Sequence, residues 1–252
     1  MFHLSAFQSS IANGSVLIQI AEIPDAILPA SGSGLLSAGL SHLHAIGFVG
    51  ATLVRGQFQA PSLRDYGNMD IEPVNIGTAW ESPPRLRDFS QRPVPLAMSE
   101  EWDLFAANSG AGAVVENGFL WSSNGVLDPF PAKKIVQIRW TAAVTLTANA
   151  WSLIQLTLAQ PLYPGMYAIV GSHMKSATAL AHRFVPAGNP TGQSWRPGGI
   201  SIQAGDSLDH PGQRQGLWGK WLDFTNVTVP QMEVFATAAD TSEEGIIDIV
   251  PY

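Results

Sequence analysis

The chain has 252 residues, a net charge of −7, no cysteine and only 13 lysines and arginines. Without cysteine there is no disulfide framework, no thiolate nucleophile and no cysteine-bound zinc. Without a basic surplus there is no electrostatic footprint for nucleic acid. Charged residues make up 13%, about half the usual share, which fits a surface largely covered by neighbouring chains.

Taken from the N-terminus, residues 1–10 lack a basic segment followed by an apolar one, so no secretory leader is expected. No run approaches the ~18–20 apolar residues of a membrane span. Short apolar runs bounded by turn residues predict strands over 15–23, 45–53, 135–146, 152–158, 166–170, 232–236 and 246–250. Within 135–146 and just beyond, Val144 and Leu146 alternate with Thr145 and Thr147, the period of a half-buried strand. Helices are predicted only over 35–44 and 175–183, the second with Ser172 or Ser176 as cap, although its Ala-rich text equally suits a strand. The proline-rich stretches 72–95 and 186–197 predict long, exposed loops.

The halves echo each other. Leu17-Ile18-Gln19-Ile20, Ala45-Ile46, Ala51-Thr52, Phe58 and Leu104-Phe105-Ala106-Ala107 return in order as Leu153-Ile154-Gln155-Leu156, Ala168-Ile169, Ala177-Thr178, Phe184 and Val234-Phe235-Ala236-Thr237. The separations, about 136, 123, 126 and 130 residues, approach half the chain, which suggests two related domains. The shrinking offset places an insertion in the first copy around 29–42. Turn residues and prolines over 122–131 mark the junction. The fold class expected is all-β, two tandem β-sandwich domains over 1–128 and 129–252 with few short helices.

Little here carries chemistry. His42-Leu43-His44 shares a strand face but has no nearby carboxylate, so two ordinary polar residues near a turn are expected rather than a metal site. Glu100-Glu101 and Glu243-Glu244 point to opposite faces within each doublet and are read as solvated loop charges. No nucleophile elbow or phosphate loop is present. The expectation is a non-enzyme without metal or cofactor. Eight tryptophans stand at 80, 102, 121, 140, 151, 195, 218 and 221. Trp218 and Trp221, with Lys220 and Asp223, are weighed as a sugar-binding surface. Core and interface anchoring is the stronger reading, with Trp80, Trp195, Trp218 and Trp221 as the interface candidates.

The tandem sandwich plan resembles the double jelly-roll major capsid proteins of icosahedral viruses, the lineage of tectiviruses, corticoviruses and adenoviruses. The C-terminal half carries the text most like phage virion proteins: Trp195-Arg196-Pro197-Gly198, Gly216-Leu217-Trp218-Gly219, the segment from Pro230 to Thr241, and Glu244-Gly245-Ile246-Ile247-Asp248-Ile249. The resemblance implies a homotrimeric, pseudo-hexagonal capsomer that contacts neighbouring capsomers and other virion proteins. It implies a virion location after synthesis in the host cytoplasm, no direct nucleic-acid binding, and in many relatives an internal viral membrane beneath the shell. The alternatives are a carbohydrate-binding or other ligand-binding β-sandwich, a minor capsid or spike protein, and a β-sandwich hydrolase, which would need two carboxylates converging in a cleft.

Overall fold

The computed structural model describes residues 2–24, 34–35, 40–66, 68–97, 100–125, 127, 134–187, 195–203 and 219–252. Among them helix is confined to one 3-10 segment, Pro61–Tyr66, and the molecule is all-β. The chain divides into two compact units: Leu4–Val126, and Leu127–Tyr252 together with Met1–His3.

The N-terminal unit is built from β1 (Phe2–Ile11, whose first two residues group with the other unit), β2 (Ile18–Glu22), β3 (Gly34–Leu35) and β4 (His42–Gly50). There follow β5 (Leu53–Gln59), β6 (Met69–Ile71), β7 (Asn75–Ile76), β8 (Arg87–Asp88), β9 (Val94–Pro95), β10 (Glu101–Asn108) and β11 (Val114–Ser123). Two runs of strands form one curled sheet. One run is β2–β10–β5–β6. The other is β1–β11–β4, with β8 and β9 antiparallel and β7 parallel to β4. The β1–β2 pairing, Phe7 opposite Glu22, links the runs.

The C-terminal unit contains β12 (Val136–Ala143), β13 (Ala150–Ile154), β14 (Thr157–Leu158), β15 (Met166–Ser176) and β16 (Ala179–Val185). It continues with β17 (Gly198–Gln203), β18 (Leu222–Thr225), β19 (Gln231–Ala236) and β20 (Ser242–Pro251). Its runs are β13–β19–β16–β17 and β12–β20–β15, with β18 antiparallel on β15 and β14 on β12. The parallel β15–β17 pairing links them.

The strand orders correspond. Substituting β12 for β1, β13 for β2, β15 for β4, β16 for β5, β17 for β6, β19 for β10 and β20 for β11 turns each run of one unit into its counterpart in the other, although the runs are joined at opposite ends, through β1–β2 in one unit and through β15–β17 in the other. The repeated words fall on corresponding strands and turns, but only Ala51-Thr52 and Phe58 keep their register: five residues before Ser176 stands Gly171 and not Ala168, and Leu104 faces Phe58 where Met232, not Val234, faces Phe184. Ala45-Ile46 lies in β4 and Ala168-Ile169 in β15, while Ala51-Thr52 and Ala177-Thr178 form the turns that follow those strands. Phe58 in β5 and Phe184 in β16 are both fully buried. The words around Phe105 and Phe235 lie on β10 and β19. The first word is also out of register, because Gln19 faces Phe105 and the counterpart of Phe105, Glu233, faces Leu153 rather than Gln155. Most of the expected insertion, 29–42, lies outside the described residues.

Each unit buries its own apolar interior. In β12, Ile138, Trp140 and Ala142 point inward between exposed Gln137, Arg139, Thr141 and Ala143, the burial rhythm of a strand wet on one face. In β16 every residue is buried, so alternation is absent there. Burial on both faces also explains why 175–183 is strand and not the expected helix. Ser176 Oγ accepts from the Thr178 and Ala179 N–H groups as a helix cap would. Those bonds instead close a turn, after which the Ala-rich run is paired on both edges. The helix expected over 35–44 fails similarly at its end, where β4 begins and pairs with β11 along its length; residues 36–39 lie outside the described residues.

The 72–95 stretch is also not simply an exposed loop. Asn75 is fully buried, its Nδ2 donating to the Phe48 and Arg85 carbonyls while its Oδ1 accepts from the Arg85 N–H. Side-chain bonds thus add to the short β7, β8 and β9 pairings with β4 in organising this segment. No helix among the described residues is long and apolar enough to cross a membrane.

Candidate functional site

Two of the tryptophans expected as interface anchors belong to the interior of this chain. Trp80 is 2% exposed and packs on Phe119, ring centroids 5.5 Å apart. Trp221 is 3% exposed, with Phe2 edge-on at 5.3 Å and Phe184 at 6.3 Å. Their rings are used up within their own units, so neither presents a face to a neighbouring chain. Trp195 is half-buried, and Trp218 lies outside the described residues. The burial of Trp221 also removes it from a sugar-binding surface. Lys220 instead pairs with Asp223 at 2.8 Å, and the Tyr252 hydroxyl donates to the same carboxylate.

The open apolar surface lies elsewhere on the C-terminal unit. Val136 and Ile138 of β12, the 160–167 segment and the end of β20 enclose a groove of about 720 Å³. Tyr163 is 86% exposed, Met166 51% and Tyr252 47%. The rim is held by the Tyr167 hydroxyl, which donates to the Tyr163 carbonyl at 2.7 Å. Burial and the Asp223 carboxylate raise the Tyr252 phenol, so it stays a neutral donor. The segment reads as a proline-punctuated connection, Pro161 and Pro164 flanking Leu162 and Tyr163, and only its three-dimensional return beside β12 makes it a groove wall.

Several buried polar clusters leave no signal in the sequence because their members are far apart. Arg183, fully buried, places its guanidinium carbon 3.9 Å over the Trp151 ring and pairs with Glu233 at 2.6 Å. Arg196, 2% exposed, pairs with the other Glu233 oxygen. Arg196 also donates its backbone N–H to His3 Nδ1 at 3.1 Å. On the neighbouring ladder, His182 Nε2 lies 2.9 Å from Ser172 Oγ, and His173 Nε2 lies 3.6 Å from Asp248. Burial first, and His173 second, push His182 down to about 3, which keeps it neutral.

The Ser172–His182 contact has the reach of a nucleophile and its base. His182 is fully buried and its Nδ1 has no hydrogen-bonding partner, so the orienting third group is missing and no substrate can approach. These contacts are packing chemistry. Among the described residues no group of three or more His, Asp or Glu side chains is placed to hold a metal. His44 is not the turn residue expected; it is fully buried in β4, its Nε2 2.6 Å from Ser123 Oγ.

The glutamates expected to be solvated are a further correction. Glu100 is 9% exposed and accepts from the Ser62 and Ala97 N–H groups and the Ser62 hydroxyl. Glu243 is 3% exposed and accepts from Ser176 Oγ at 2.9 Å. Turn chemistry around each pulled the carboxylate inward, a long-range effect that adjacent-residue logic could not register.

No protein-family model matches the chain, and no curated protein matches it. Among solved structures, the major capsid protein P2 from Bacteriophage PM2 is similar at 10% sequence identity and a TM-score of 0.24, over 99% of this chain and 98% of that one.

Proposed function

We propose that this chain is a structural virion subunit, a major capsid protein made of two jelly-roll domains over 1–128 and 129–252 that assembles into an icosahedral shell. The observation that carries the reading is the pair of corresponding strand runs in each of the two units. In each, seven corresponding strands fall into a run of four and a run of three, and we read the two runs as the two sheets of a jelly roll. Jelly rolls also serve lectins and cupins, so the fold alone does not decide the function. Two features favour assembly. Charge is scarce at 13%, and an apolar groove with exposed Tyr163, Met166 and Tyr252 faces outward from the C-terminal unit. Surfaces of that kind become stable when covered by another chain.

The sugar-binding alternative needs exposed, aligned indoles, whereas Trp80, Trp102, Trp121, Trp140 and Trp221 are buried. In the proposed role copies of the chain associate as homotrimers of pseudo-hexagonal outline, contact neighbouring capsomers and other virion proteins, and leave the genome to other components. Light scattering coupled to size exclusion tests this. A trimer or larger species that persists on dilution is expected, and a monomer over a wide concentration range would overturn the reading.

A further inference from the structure

A buried glutamate stands at the same place in both units. Glu116 stands opposite Gly50 in the β11–β4 ladder, at the end of β4 where the turn Ala51-Thr52 begins. Glu243 occupies the matching place: one step beyond the Lys175–Glu244 pair of the β15–β20 ladder, beside Ser176, where the turn Ala177-Thr178 begins. Both side chains are buried, Glu116 at 0% and Glu243 at 3% exposure. Neither Glu116 oxygen has a hydrogen-bonding partner, and Glu243 Oε2 has none.

The two sites solve the same spatial problem differently. A β-carbon at position 50 would fall 1.2 Å from Glu116 Oε2, so glycine leaves room for the carboxyl. At the matching place in the other unit Ser176 fills that room and donates to Glu243 Oε1 at 2.9 Å.

We propose that Glu116 and Glu243 are a matched pair of proton-dependent latches, one in each unit, that hold the turns Ala51-Thr52 and Ala177-Thr178 against β11 and β20 while each carboxyl is protonated. Burying an ionised carboxylate without full hydrogen bonding is costly, whereas a neutral carboxyl tolerates these surroundings. The groups around them agree. No charged side chain acts on Glu116; burial raises it to about 7, and the Thr52 backbone offsets this at a geometry short of a formed hydrogen bond. Around Glu243, β12 presents Ala142, β15 presents Ser176 and Lys175, the segment before β20 presents Asp240, and Glu244 follows in β20. Burial raises Glu243 to about 7, Ser176 opposes the rise and Asp240 adds to it. A cavity of about 530 Å³ lined by Lys175, Asp240 and Glu244 gives water a route to this carboxyl.

Each folded-state value lies above the ordinary 4.5, so the contribution to stability is complete below that value and is lost as pH rises toward about 7. The latch belongs to each unit and stands apart from the shell proposal. The test is thermal unfolding of the full chain from about pH 5 to about pH 8.5, wild type beside Glu116→Gln, Glu243→Gln and the double variant. Relative to the double variant, the wild-type midpoint is expected to fall with rising pH, and each single variant to show part of that difference, the histidines contributing equally to all four chains. A double variant that runs parallel to wild type would overturn the proposal. Should the variants not fold, carbon-13 titration of the glutamate carboxyls in the wild-type chain decides. Two signals with midpoints near neutrality are expected, and titration of every glutamate in the ordinary acidic range would overturn it.

Discussion

Glu116 fills the space that a side chain on Gly50 would require: a β-carbon there would lie 1.2 Å from Glu116 Oε2. Gly50→Ala therefore forces the Glu116 carboxyl to shift and is expected to destabilise the chain by at most about 1–3 kcal/mol through overpacking. Urea unfolding measures it. In a Glu116→Ala background the same substitution should cost far less, and equal costs in both backgrounds would show that the carboxyl does not occupy that space.

The Arg183–Glu233–Arg196 cluster sets two cations on one carboxylate, with Trp151 beneath Arg183. Removing the anion leaves buried guanidiniums undercompensated. Glu233→Gln is expected to destabilise the chain by about 3–5 kcal/mol, read from denaturant unfolding. Arg183→Lys should not rescue packing on Trp151, because an ammonium cannot reproduce the planar stack and fork.

These clusters mark the boundary of what one sequence discloses. The repeat was legible because short-range text survives at corresponding strands and turns, as Ala45-Ile46 and Ala168-Ile169 or Phe58 and Phe184 illustrate. Strands exposed on one face, such as β12, announce themselves through alternation. Strands such as β1, β11 and β16 do not, because burial on both faces erases the period or polar text such as Ser5, Gln8 and Ser9 masks it. Trp80 and Trp221 were legible as anchors but not as anchors of this chain's own interior, since exposure is decided by partners remote in sequence. The same limit hid Glu243, whose partner Ser176 lies 67 residues away.

His182 adds a pH dependence of opposite sign to that of the two glutamates. Burial holds it at about 3 against an ordinary 6.5, so its contribution is complete above about pH 6.5 and is lost as pH falls toward the folded value. Ser172 Oγ, His173 and the Phe184 ring face it, and none supplies a negative charge. His182→Gln is expected to shift acid unfolding to lower pH, followed by tryptophan fluorescence. An unchanged acid midpoint would remove His182 as a cause.

Phe58 and Phe184 hold corresponding places on β5 and β16, both fully buried. Truncation to alanine at either is expected to cost about 3–5 kcal/mol. Calorimetry of the two variants should show comparable losses. A large loss at one and none at the other would break the correspondence between the units.

The most direct test of the account is an electron-microscope image of the purified chain at concentrations that favour association. The account predicts particles of three copies with pseudo-hexagonal outline, six similar lobes arranged around a threefold axis. Dispersed single copies, or subunits whose halves differ in architecture, would contradict it.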